Sequence, residues 1–373
     1  MRTPWIPENQ LKRALIRNER FWSGGLDEGP LLWISVPDAR AGDRLPEPEA
    51  EEELWTNSHY TISAAENRLS RTLFLGDALP VYMPWLGPDQ FAGWLGTELI
   101  LRPRELNTSW AVPSLKSWEP PPAFEIDKEN KWWKLYLELT RLSVECGRDK
   151  WITAYPDLHT GIDALSALRG PEQLALDLVD HPEAVKRAMR RMTELWKNVV
   201  DEVTQILEPS GQGSSNWTMG WSAKRFLCIG QNDFTCMIGT EMFDDFCGED
   251  LQECCAHVDC AIYHLDGPGA IRHLPRILQE SHLQCVQWIP GAGAPPVSHW
   301  LPLLQQIQQA GKSVQLWPLL NCREDELLDE LRPIGEALDP ARLFIVAEPS
   351  TPDLAEAILR LFGRQPGQRR RTR

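Results

Sequence analysis

The sequence predicts an α/β fold, a closed (β/α)8 TIM barrel with an N-terminal helical extension, and three observations carry that expectation. Short β-rich runs alternate with helical segments from about residue 30 to residue 360, the order that builds a parallel sheet with right-handed crossovers. The strand–helix unit recurs about eight times, the number a closed barrel needs. No Gly-x-Gly-x-x-Gly follows an early strand, which argues against an open, doubly wound sheet. The 373 residues contain no internal repeat and no Ser/Gly linker, so one barrel domain is expected over residues 30–363. Residues 1–29 read as a helical extension ending in a Gly-Gly turn, and 364–373 as a disordered basic tail.

The first strand is expected at 31–36, where Pro37 stops it. Residues 42–53 form an acidic, solvated loop entering a helix. A second strand at 78–83 ends at Pro84-Trp85-Leu86-Gly87-Pro88, and the Pro- and Trp-rich residues 98–127 read as a hairpin or excursion. A long helix over 131–146 leads to a strand at 151–155 and the polar loop Pro156-Asp157-Leu158-His159-Thr160-Gly161-Ile162-Asp163. Asp180, with Pro182 and Glu183 after it, has the pattern of an N-capped helix start. Further strands are expected at 214–218, 226–229, 261–264, 285–289, 313–316 and 343–346, separated by helices apart from the first two. These candidates number nine, one more than the barrel holds, so one must be irregular or lie outside it.

A formal charge of −15 repels a phosphate backbone, so neither nucleic acid nor an anionic membrane surface is expected as a partner. No apolar run reaches membrane-spanning length and the N-terminus lacks the order of a secretory signal, which predicts a cytoplasmic protein. The nine cysteines, an odd number without framework spacing, are expected to be reduced and mostly buried, Cys254 and Cys255 on the core face of a helix. Tryptophan is the outlier, with 17 copies against five tyrosines. Trp132, Trp133 and Trp196 fall in amphipathic helical patterns and read as core, whereas others close strands.

A barrel works at the carboxyl ends of its strands. Those ends supply Trp85, Asp157 with His159, Trp217, Asp233, His264 with Asp266, Trp288, Trp317 and Glu348. Flat indole faces suit a ring-shaped or aromatic small molecule, so at least three of Trp85, Trp217, Trp288 and Trp317 are expected around one pocket, with Asp157 as a further binding group. The centre of interest is Ile262-Tyr263-His264-Leu265-Asp266-Gly267-Pro268-Gly269, where a strand period of two puts His264 and Asp266 on one side. Three roles are open to the pair. They could ligate zinc or another divalent ion, with Glu348 or Asp233 as third ligand; serve as a metal-free acid–base pair; or form a buried polar pair that holds the loop. Asp157-x-His159 repeats the pairing in reverse, and His159 could reach the same pocket.

The order of Gly76-Asp77-Ala78, Leu168-Arg169-Gly170, Asp180-His181-Pro182-Glu183 and His264-Leu265-Asp266-Gly267, followed by a closing strand–helix after Leu343, resembles the uroporphyrinogen decarboxylase superfamily over about residues 8–363. That superfamily contains the decarboxylase and zinc-dependent methyltransferases that move methyl groups between corrinoid proteins and thiols. Pro84 stands where the decarboxylase has its pyrrole-gripping aspartate, and Ser35-Val36-Pro37 stands where the family places Arg-Gln. The methyltransferases bind zinc through His-x-Cys and a later cysteine. Here His264 matches the histidine, Asp266 replaces the first cysteine, and the later strand offers Ala347-Glu348.

The resemblance implies a methyltransferase-like enzyme acting on a small molecule in a Trp-lined pocket. His264, Asp266 and Glu348 would hold a divalent ion, a partner protein would present a corrinoid at the mouth, and Trp288 and Trp317 would flank the exchanged group. His264, Asp266, Asp233 and His159 are the candidate catalytic residues. A carbohydrate hydrolase or lyase would instead pair Asp266 with Asp233 or Glu348. A barrel that binds a small molecule without catalysis also accommodates the lost cysteines.

Overall fold

Parallel strands covered on both faces read as nearly unbroken apolar runs, and the runs identified above become strands of that kind. The computed structural model describes residues 2–159 and 161–364. In chain order its strands are β1 (Leu31–Pro37), β2 (Thr72–Gly76), β3 (Val81–Tyr82), β4 (Leu99–Arg102), β5 (Thr108–Ala111) and β6 (Ile152–Thr153). They continue with β7 (Phe226–Ile229), β8 (Cys260–Asp266), β9 (Cys285–Ile289), β10 (Ser313–Leu316) and β11 (Leu343–Ala347). Seven form one sheet in the order β2-β1-β11-β10-β9-β8-β7, parallel except where β2 runs antiparallel to β1. β3 and β6 pair in parallel apart from that sheet, and β4–β5 is the expected hairpin.

The fold is therefore mixed α/β with a mostly parallel sheet, and among the described residues backbone pairing does not close it into an eight-stranded ladder. The irregular candidate is 214–218. Asn216 Oδ1 accepts from the Thr218 N–H at 2.9 Å and from its hydroxyl at 2.7 Å, a local turn that competes with strand pairing. What remains is a single bridge between Ser214 and Ser222 and one bond from the Tyr155 N–H to the Ser215 carbonyl at 2.8 Å. β2 is the strand that the sequence reading lacks; it doubles back along β1 from Pro37↔Thr72 to Trp33↔Gly76.

Two apolar cores separate the faces of the sheet. Leu32, Leu227, Ala261, Tyr263, Leu265, Val286, Leu316 and Ile345 join the outer core, which the helices cover. Leu31, Trp33, Phe226, Cys228, Cys260, Ile262, Cys285, Phe344 and Val346 join the inner core. Val81, Ile152 and Ala154 belong to that same inner core, so β3 and β6 face the sheet across a shared interior. The nine cysteines are unpaired, and Cys254 and Cys255 are buried in the outer core as expected. The helix Pro182–Leu207 turns Val185, Met189, Met192, Trp196, Val199 and Val203 inward at helical spacing. Its cap is His181 rather than Asp180, because Asp180 ends the preceding helix Pro171–Asp180 and Pro182 starts the next.

The N-terminal helix Glu8–Trp22 is built into the fold. Trp22 packs on Phe226 at 4.3 Å and Phe21 on Phe344 at 5.5 Å between ring centroids, plugging the amino-terminal end of the inner core. Asp77 ties this end together. It is fully buried, accepts from the Leu32 N–H at 3.0 Å, and pairs with Arg17 and Arg364, each at 3.0 Å. Arg364, the first residue assigned to the tail, is therefore anchored, while 365–373 lie outside the described residues. No helix among the described residues is long and apolar enough to cross a membrane.

Candidate functional site

β8 decides the site by alternation. Cys260 and Ile262 belong to the inner core, Ala261, Tyr263 and Leu265 to the outer, so His264 and Asp266 fall on the inner face at the carboxyl end. Gly267 then turns the chain at φ +70°, a conformation that favours glycine. Both side chains are partly buried, and the expected i, i+2 pair is in place.

The tautomer of His264 is set by two glutamines in register with it. β9 places Gln287 beside His264, and β10 places Gln315 beside Gln287. His264 Nδ1 lies 2.6 Å from Gln287 Oε1, Gln287 Nε2 lies 2.7 Å from Gln315 Oε1, and Gln315 Nε2 lies 2.7 Å from the Thr218 carbonyl. A backbone carbonyl only accepts, so Gln315 must turn its amide N–H to Thr218 and its oxygen to Gln287. The same logic turns the Gln287 oxygen to His264, which must carry its proton on Nδ1. The lone pair of the neutral ring is then on Nε2, 3.9 Å from Asp233 Oδ1. Gln287→Leu should free the ring and weaken zinc binding at His264 roughly 10–100-fold, the usual cost of losing such a partner. Isothermal titration with zinc checks this, and an unchanged affinity would remove the glutamines from the account.

Asp233 arrives on the loop after β7. Gly230 starts that loop at φ +64°, and a Cβ there would lie 2.3 Å from the Tyr263 ring, so only glycine fits. Asp163, in the first turn of the helix Gly161–Arg169, holds the loop from below by accepting the Asp233 and Phe234 N–H groups, each at 3.0 Å. The outcome is two trios, His264–Asp266–Asp233 and His159–Asp163–Asp233, whose candidate donor atoms lie within 4.8 Å of one another in each. His159 is further flanked by Asp157 Oδ2 at 3.5 Å and Gln231 Nε2 at 3.0 Å.

The electrostatics report crowded negative charge. Burial works to lower the His159 pKa, yet Asp157, Asp163 and Asp233 together hold it up at about 10. Burial, reinforced by Asp233, raises the Asp163 carboxyl. Burial also raises Asp266, with His264 opposing and Asp233 adding to the rise. Among the described residues no lysine or arginine forms an ion pair with any of these carboxylates.

Glu348 does not join the group. It is exposed and accepts from Ser35 Oγ at 3.1 Å, so the third carboxylate beside His264 and Asp266 is Asp233. Trp217 meets the His264 ring edge-on at 5.0 Å and Trp317 at 6.4 Å, forming an aromatic wall beside the histidine. Trp288 departs from the expectation. It pairs across the sheet with Leu265, is fully buried in the outer core and packs on Trp300 at 5.1 Å, because Gln287 has taken the inward position. Trp85 packs against Trp55 at 5.3 Å.

The residues missed from sequence are Asp163, Gln231, Gln287 and Gln315. A lone glutamine inside each of the apolar strands Cys-Val-Gln-Trp-Ile and Ser-Val-Gln-Leu was the available signal, since a buried amide needs a partner. A separate cleft of about 520 Å³, lined by Tyr155, Gln212, Trp221, Arg225 and Asp259, opens at the amino-terminal end of the strands, away from this cluster.

No family model matches the chain, and no curated protein matches it. Among solved structures, a methyltransferase from Methanosarcina mazei is similar with a TM-score of 0.60 at 11% identity, over 95% of this chain and 98% of that one. At that identity the likeness is one of fold. It spans both chains almost completely.

Proposed function

We propose that this chain is a methyltransferase-type enzyme of the uroporphyrinogen decarboxylase-like barrels. In this reading β3 and β6 join the six parallel strands β1 and β7 to β11 of the main sheet to complete a (β/α)8 barrel through the shared inner core, and a divalent cation is held at its mouth. The observation that carries it is the His264 Nε2 lone pair, aimed by the Gln287–Gln315 chain toward Asp233 and grouped with Asp266. One imidazole and two carboxylates fit zinc or a comparable borderline ion and leave positions open for substrate. Bound there, the ion would act as a Lewis acid that favours the deprotonated form of a coordinated thiol, hydroxyl or water.

The remaining roles fall to the chain itself. His264, Asp233 and Asp266 would supply the donors, and Asp266, whose pKa burial raises, would give up its proton when the ion binds. Trp217 and Trp317 offer π faces to the acceptor and keep water from it. The methyl donor is a corrinoid presented by a partner protein, and the cytoplasm is the setting we infer from nine unpaired cysteines.

Free methylcobalamin, with purified protein, zinc and a panel of thiol acceptors, tests the reading by loss of the methyl–cobalt absorbance. Turnover is expected in the wild type and loss of it in His264→Ala. Zinc binding without demethylation of methylcobalamin would discard methyl transfer. A second reading has one observation in its favour: candidate donor oxygens of Asp233 and Asp266 lie within 4.8 Å, close to the roughly 5 Å carboxylate separation of retaining glycosidases. Metal-independent release of nitrophenol from aryl glycosides would favour it.

A further inference from the structure

We infer that the mouth holds two divalent cations rather than one, with Asp233 as the bridging carboxylate between His264–Asp266 and His159–Asp163. This inference rests on the reading of His264, Asp266 and Asp233 as a metal site and adds a second ion to it. The two trios share Asp233, and each supplies one imidazole and one carboxylate of its own. That is the donor pattern of a carboxylate-bridged pair, in which the ions sit about 3.5–4 Å apart. Asp163 already accepts two backbone N–H groups, but each carboxylate oxygen has a second lone pair, so these bonds orient the ligand without exhausting it.

One independent observation points to a ligand on the His159 side. Asp157 is 7% exposed and its Oδ1 has no hydrogen-bond partner in the protein. Its other oxygen lies 3.5 Å from His159 Nε2, so an unpaired carboxylate oxygen is buried beside the imidazole where a second cation would sit. Charge balance agrees. Asp157, Asp163, Asp233 and Asp266 gather four carboxyl groups with no lysine or arginine paired to them among the described residues, and two divalent ions would neutralise all four in their ionised form.

Manganese alone is the probe. Equilibrium dialysis with elemental analysis should find two ions per chain in the wild type, and one in both His159→Ala and Asp266→Ala. Electron paramagnetic resonance of the manganese-loaded wild type should show an exchange-coupled pair, a readout that needs no variant to fold. One ion per chain, uncoupled and retained in His159→Ala, would overturn the second site while leaving the His264 site standing. No uptake at all would overturn both.

Discussion

Replacing Asp266 with alanine is expected to weaken zinc binding sharply, by more than the roughly 10–100-fold that losing an outer partner costs, because in the proposed site it is a ligand itself that is removed. Asp266→Cys is expected to keep zinc or bind it more tightly, since thiolate is a good zinc ligand and the i, i+2 position after His264 is unchanged. The physics differs between the two. Alanine leaves His264 Nε2 and Asp233 to hold the ion, with Asp233 on a half-exposed loop side chain. Cysteine restores a donor on the inner face of β8 and removes a carboxylate whose pKa burial and the neighbouring Asp233 raise. Competition against a chromophoric chelator gives both affinities. A wild type that takes up no zinc, together with no gain in Asp266→Cys, would leave Asp266 as an acid–base carboxylate and move the function to the paired-carboxylate reading.

Asp77→Ala should lower the unfolding free energy by about 3–5 kcal/mol, the usual result of breaking a buried charge network from one side. Asp77 has no exposed surface, and Arg17 and Arg364 beside it keep side-chain exposures of only 11%. Removing the carboxylate leaves two partly buried guanidiniums facing each other and the Leu32 N–H without its acceptor. The loss reaches three parts of the chain at once, because the network joins the N-terminal helix, β1 and the last described residue. Urea unfolding of the wild type and variant measures it. A companion variant with Arg17→Met, Asp77→Leu and Arg364→Met separates charge from packing: an apolar replacement of the whole network should restore much of the loss. A change under about 1 kcal/mol in Asp77→Ala would mean that the arginines find other partners.

Much of this molecule was legible in the order of its residues. The parallel strands β7 to β11 announce themselves as apolar runs between helices, since both faces of each are covered. The pairing of His264 with Asp266 follows from strand periodicity alone, a local property that needs no partner. The 214–218 segment misled because its composition permits a strand, while the Asn216 side chain offers the backbone a closer acceptor. The closed ladder that the sequence predicts is likewise not formed by backbone pairing among the described residues, because β3 and β6 are two residues each and pair only with one another.

What the sequence by itself determined is thus most of the elements and the placement of His264 with Asp266 at the end of β8. The tertiary structure alone decided which distant groups complete that chemistry. Asp233 reaches His264 because Gly230 turns the loop over Tyr263, and Glu348 is drawn instead to Ser35. Trp288 faces the helices and Gln287 the interior because register with β8 leaves one inward place at that level, and the amide chain from His264 to Thr218 claims it. The reason is one of range: periodicity is set by neighbours along the chain, whereas register, loop approach and buried hydrogen-bond partners are set by groups that meet only once the sheet has formed.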